Sequence, residues 1–350
     1  MILPSTFIFS ILLLVLGMVS SGLWTSAFKA SGTKWRFELY YFDFAIGVFL
    51  AAVAAALTVG SLGWDGFSFI DDIRNAGKKQ ELYAILAGGV LNLGNMLLLG
   101  AISMTGIAVA LPIGLGTALV VAAIVGMIAN PGSSNTLLMG AGAFCLLAAS
   151  AVASMAFKTN TMNKLIALVQ QGKTKSTKKH FSAKGLLLAG VAGILMGGYL
   201  PLLDLARDPD IGLGPYGLVV MMSVGIGFTT FVYNLFFMNL PVQGKVVDFA
   251  EYFKGNARAH YMGLVGGFLF TASLLAGFVV SKAEGPAAVS PVLASAFSQG
   301  GAIIGTLAGL LVWKEFEGAD SKVKSLVTSM LVMLVVGIAL ITVAPIYNAK

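Results

Sequence analysis

Long apolar runs separated by short polar clusters fill this chain, and few acidic or basic residues interrupt them. Ten runs stand out. They are Thr6–Lys29, Glu38–Gly60, Leu82–Thr105, Ile107–Ala129, Thr136–Lys158, Gly185–Ala206, Pro215–Met238, Met262–Val280, Ala287–Trp313 and Val323–Ala344. A helix needs roughly 20 apolar residues to cross the hydrocarbon of a bilayer. Helices satisfy their own backbone hydrogen bonds, so they can sit in lipid where loops cannot. The pattern predicts an all-α membrane protein with ten transmembrane helices. The longest polar intervals, 159–184 and 239–261, are too short for a folded domain with its own core. Ordinary soluble enzyme chemistry has nowhere to sit, and the expected work is movement of something across the membrane.

The runs also repeat. Gly88-Gly89 in the third run is followed, 23 residues on, by Pro112 at the end of Ala108-Val109-Ala110-Leu111-Pro112. Gly266-Gly267 in the eighth is followed, 24 residues on, by Pro291 at the end of Ala287-Ala288-Val289-Ser290-Pro291. Gly126 and Gly305 each lie 14 residues beyond their proline. Five spans per copy is an odd number, so the second copy enters from the opposite face. The expectation is two inverted five-helix repeats, 1–158 and 185–350, joined by a basic loop, 159–184. Substrate would then bind near the midplane between them.

Composition sharpens the class. The chain is 57% hydrophobic and 11% charged, where soluble domains carry about 25% charged residues. Its net charge is +7, which topology explains better than nucleic-acid binding. In a ten-span arrangement, 16 of the 22 Lys and Arg fall on the side of Lys158–Lys184 and 6 on the other. Positive charge favours cytoplasmic loops. Lys158–Lys184 is therefore expected in the cytoplasm, with both termini outside a plasma or inner membrane. The first run has its positive charges after it, which suits a retained helix and not a secretory signal. Cys145 is the only cysteine and cannot form an internal disulfide. No Walker A sequence is present, so ATP-driven transport within the chain is disfavoured. His180 and His260 fall in basic loops with no clustered partners, and neither a metal nor another cofactor is expected.

Polar groups at membrane depth are costly and usually face a cavity or a partner helix. Asn92 and Asn95, three apart on one helical face, carry amides that both donate and accept. They suit uncharged polar solutes, or they bond one helix to the next. Trp24 and Tyr199 can stack on a planar ring or sit in the interfacial belt. Pro112 and Pro291 should each kink a helix and free a carbonyl. With Asn234 and Gln299 these residues form the expected lining of a central cavity. Asp43 is the acid placed furthest inside a span. It is a candidate proton-coupling carboxylate, or a buried carboxylate bonded to a hydroxyl or a lysine. Asp204 is the second coupling candidate, or a partner for Arg207. Glu315 is expected to cap a helix or form a salt bridge.

Three stretches carry a family resemblance. One is Glu38-Leu39-Tyr40-Tyr41-Phe42-Asp43-Phe44 running on to Leu57-Thr58-Val59-Gly60. Another is Ala87-Gly88-Gly89-Val90-Leu91-Asn92-Leu93-Gly94-Asn95, and the third runs from Asn239-Leu240-Pro241-Val242 through Phe249–Gly255. They resemble the ureide permeases, within the drug/metabolite transporter superfamily. The Trp313-Lys314-Glu315 segment and the tight hairpin at Gly106 are similar to that superfamily as well. The resemblance implies ten helices and secondary, commonly proton-coupled, import of allantoin, related ureides or uracil. Gly94-Asn95 is also similar to glucose/ribose and rhamnose porters, so a sugar stays open as substrate. A membrane-embedded enzyme or scaffold is the alternative of another class.

Overall fold

The computed structural model describes residues 1–32, 35–63, 68–171 and 183–347. Lys34, His180, Lys350 and residues 172–182 of the basic loop lie outside the described residues. Every regular element among those described is helical. The helices are α1 (Phe7–Ala30), α2 (Phe37–Leu57), α3 (Phe69–Asn75), α4 (Lys78–Thr105), α5 (Ile107–Ala129), α6 (Thr136–Gln170), α7 (Ala183–Gly198), α8 (Leu200–Ala206), α9 (Pro215–Asn239), α10 (Ala257–Val280), α11 (Pro291–Leu307) and α12 (Ser321–Val343). With α7 and α8 read as one broken span, ten helices among the described residues are long and apolar enough to cross a membrane. The protein is an all-α membrane protein.

Helix starts follow local chemistry. Thr6, Asn135, Asn256, Ser290 and Asp320 each accept a backbone N–H from the first turn that follows, which satisfies donors a helix start leaves free. Gly106, at φ 89°, turns α4 directly into α5.

Three boundaries depart from expectation. α6 runs 12 residues past Lys158, to Gln170, because apolar positions keep their helical spacing, with Asn160 and Leu165 buried. The sixth span breaks at Tyr199, where Gly197-Gly198 meets Pro201 at the start of α8. Pro291 does not kink a helix. It stands in the first turn of α11, where a proline costs no hydrogen bond. Pro112 does lie inside its helix, α5.

Packing pairs the helices in a regular way. α4 packs on α9 and on α7, while α10 packs on α2 and on α1. α5 packs on α7, α11 on α1, and α6 on α12. Glycine permits the closest approaches. A Cβ at Gly88 would stand 2.2 Å from the Met222 carbonyl oxygen, and one at Gly267 would stand 2.3 Å from that of Phe44. Small residues at such crossings let backbones approach closely in lipid.

Candidate functional site

A cavity of about 400 Å³ runs from the middle of the bundle toward the end at which α1 begins. Five spans wall it: α1, α5, the broken α7–α8, α10 and α11, with Leu91 of α4 at its depth. Its polar groups are Ser21, Tyr199, Ser273, Ser295, Ser298 and Gln299, and its lining holds no charged side chain. The break in the sixth span brings Tyr199 to the wall. Gln299 Nε2 donates to Ser295 Oγ at 2.5 Å, and Gln299 Oε1 is buried without a partner. This volume is in the usual range for small-molecule sites, which combine apolar walls with a few orienting polar groups.

Trp24 forms the deep end. Its ring lies 5.4 Å from Phe44 and 5.5 Å from Phe270. One helical turn further, Phe28 packs edge-on against Tyr40 at 5.1 Å. Beyond this aromatic block the bundle is held shut by polar contacts. Glu315 accepts from the backbone N–H groups of Ile107 and Ala108, at 2.8 and 2.7 Å, and pairs with Lys29. It is thus both a cap on α5 and one half of an ion pair. A carboxylate at a helix N-terminus also gains from the helix dipole. Trp313 Nε1 donates to Ser26 Oγ at 3.1 Å, and Lys29 lies 5.2 Å from the Trp313 ring centre. A second opening, lined by Phe28, Lys29, Trp35, Arg36, Ser103 and Gln243 among others, lies on this sealed side.

Of the residues expected around a central cavity, Trp24, Tyr199 and Gln299 line it, whereas Asn92, Asn95, Pro112, Asn234 and Pro291 do not. Asn92 is bonded to its neighbours. Tyr41 Oη donates to Asn92 Oδ1 at 2.8 Å. Asn92 Nδ2 lies 2.9 Å from Thr229 Oγ1, 3.1 Å from Thr230 Oγ1 and 3.2 Å from the Ile226 carbonyl. Its amide joins α2, α4 and α9. Asn95 and Asn234 are fully buried, and no amide atom of either has a partner. Pro112 is buried in α5, and Pro291 is exposed at the start of α11.

Asp43 lies at the sealed end, away from the cavity. Its Oδ1 accepts from Tyr252 Oη at 2.6 Å, and its Oδ2 lies 2.9 Å from His260 Nδ1. His260 is therefore in α10 and paired, not free in a basic loop. Sequence spacing gave no sign of this trio, because 209 residues separate Asp43 from Tyr252. Burial, then the bond and charge of Asp43, push the Tyr252 phenol above its ordinary pKa. Tyr252 hence remains a donor throughout the physiological range. Asp204 is exposed at the end of α8. Arg207 turns instead to Ser281, donating to its Oγ at 2.7 Å, and lies over the Phe278 ring. Among the described residues no cluster of three His, Cys, Asp or Glu could hold a metal ion.

Residues 40–191 match the family model described as ureide permease. The protein is similar to ureide permease 1 of Arabidopsis thaliana, with 21% identity over 375 residues, covering 94% of this chain and 95% of that one. A solved structure described only as the crystal structure of a protein is 14% identical, covers 95% of each chain and has a TM-score of 0.49.

Proposed function

We propose that this chain is a transporter of the ureide permease kind, like the family whose model its residues 40–191 match, and that it imports a small, neutral, planar solute rich in amide groups. A ureide such as allantoin, or a nucleobase such as uracil, has that chemistry. One observation carries this reading: the cavity offers Trp24, Tyr199 and the unpaired Gln299 Oε1, and no charge. Ureides and uracil place N–H donors beside carbonyls on a flat frame. The frame can stack on an aromatic face, and an N–H can satisfy the Gln299 acceptor. A sugar would ask for a denser set of polar partners than these walls carry.

Transport proceeds by alternating access between two inverted repeats. Helix packing supports this reading. Numbering the spans one to ten, the third lies on the seventh and the eighth on the second. The first lies on the eighth and the sixth on the third, while the fourth lies on the sixth and the ninth on the first. Adding or subtracting five turns each contact into its partner. The close approaches match too: Met222 and Phe44 are each the eighth residue of their helix. The cavity end is the outside face, and the Lys29–Glu315 end is cytoplasmic. Coupling to protons runs through Asp43, with His260 and Tyr252 as its partners; the trio opens when the cytoplasmic end opens.

Counterflow in proteoliposomes tests the substrate. Labelled allantoin or uracil should exchange, glucose and ribose should not, and Trp24→Ala should lower exchange at least about tenfold through lost stacking and packing. Exchange of glucose or ribose in preference to both amide solutes would overturn the reading.

A further inference from the structure

Buried polar groups in a folded protein are nearly always hydrogen-bonded, and an orphan asks for a reason. The helices beneath Trp24 hold several. Both amide atoms of Asn95, both of Asn234, the Tyr40 hydroxyl and the Thr25 hydroxyl are buried without partners. All four residues are essentially inaccessible to solvent. The helices that carry three of them are in contact, α4 on α9 and α2 on both. Leu91 lines the cavity, and Asn95 is four residues on, so it occupies the same face of α4 one turn deeper. On α9, Asn234 stands one turn beyond Thr230, which bonds Asn92. α4 and α9 contact side by side, so this step carries Asn234 to the depth of Asn95. Thr25 follows Trp24 directly. Tyr40 packs on Phe28 and on Phe44, and Phe44 in turn packs on Trp24.

Chance polarity does not account for the two amides. Asn92, one turn away from Asn95, has its side chain used by α2 and α9. Tyr41 stands close enough to Asn95 for its phenol to interact with that amide, yet the side-chain amide it meets at hydrogen-bond distance is that of Asn92, at 2.8 Å, and Asn95 is left without a partner at that distance. We infer that Asn95 and Asn234, with Tyr40 and Thr25, form a second solute station below the cavity. It is collapsed in this conformation and is reached when Trp24 swings aside. A solute bearing an N–H next to a C=O matches a primary amide in both directions, donor to acceptor and acceptor to donor. Two such amides would replace the water that a neutral ureide or nucleobase loses on leaving the cavity. The station lies between the cavity and the opening lined by Phe28 and Trp35, so it is the intermediate stop of the path. This rests on the reading that solute enters by the cavity.

Asn95→Leu, Asn234→Leu and, as comparison, Asn92→Leu test it in the full-length protein. Thermal unfolding needs no substrate. If Asn95 and Asn234 are held unpaired for a ligand, leucine should leave the unfolding midpoint unchanged or raise it, the usual sign of a site that trades stability for function. Asn92→Leu should lower the midpoint, because it leaves several partners unsatisfied. Allantoin and uracil counterflow should fall at least about tenfold in the first two variants. Quenching of tryptophan fluorescence by either solute should stay within about twofold of the unaltered protein, since the upper cavity is intact. Midpoints lowered as far as by Asn92→Leu, or counterflow retained, would overturn the station. Failure of the unaltered protein to bind either solute would instead overturn the substrate reading, and the unfolding arm would still decide whether the amides are unpaired.

Discussion

Single residues carry unequal weight here, and their surroundings decide which ones matter. Asn92 and Asn95 are one turn apart with the same side chain, yet one is bonded on both sides and the other has no partner. Asp43 likewise owes its role to what meets it. A carboxylate held by Tyr252 and His260 keeps its charge satisfied only while the loop bearing Tyr252 stays docked. Tyr252, with its pKa raised, has a linkage of definite sign. A raised pKa contributes stability that is fully present below the ordinary tyrosine value near 10 and fades as pH climbs toward the raised one. Tyr252 therefore contributes no pH dependence between pH 5 and 8. Asp43→Asn keeps the shape and removes titration. It should abolish uptake driven by a pH gradient while exchange at equal pH continues, as measured with labelled allantoin. Gradient-driven uptake surviving in the variant would remove Asp43 from coupling.

At the scale of elements, the glycine crossings are the sharpest feature. Gly88 and Gly267 each bring a helix against a partner's carbonyl, with room for no Cβ. Alanine at either site must force the backbones apart, an overpacking cost of about 1–3 kcal/mol. Gly88→Ala and Gly267→Ala should lower the unfolding midpoint by similar amounts, because the two crossings are built alike. Gly126→Ala, where a Cβ meets nothing within 4 Å, should be silent. A large drop at Gly126 with none at Gly88 would contradict this packing. The short α3 was not legible in advance. It begins with a capping box at Ser68 and Asp71, and it is anchored by Asp72, which accepts the Gly214 N–H at 2.9 Å. The break at Tyr199 had its signal in Gly197-Gly198 and Pro201, but a proline within an apolar run does not say which wall it will expose.

The whole molecule is open at one end and shut at the other. Glu315 gathers Lys29 and two backbone N–H groups, joining α1, α5 and the segment after α11. Charge-assisted hydrogen bonds of this kind contribute about 1.5–3 kcal/mol each when buried, and 1.4 kcal/mol already shifts a two-state population tenfold. Glu315→Gln loosens the seal. A cysteine placed at Thr25, which is buried behind the seal, in a background with Cys145→Ser, should then react faster with a membrane-impermeant maleimide. The faster reaction should come from the cytoplasmic face, at least about tenfold above the parent. Unchanged labelling would show that the seal lies elsewhere, and labelling from outside would invert the assigned orientation.

Sequence alone determined the class. Apolar runs of bilayer length leave a chain no alternative to membrane helices, since no other element satisfies its own backbone in lipid. The ten spans and the tight turn at Gly106 were legible because each depends on residues close together in the chain. Tertiary structure alone decided the site. Whether an amide is bonded or waiting, whether Asp43 meets His260, and whether Glu315 closes one end depend on partners more than 100 residues away. Helical periodicity fixes the face on which a side chain stands, and packing fixes what stands opposite.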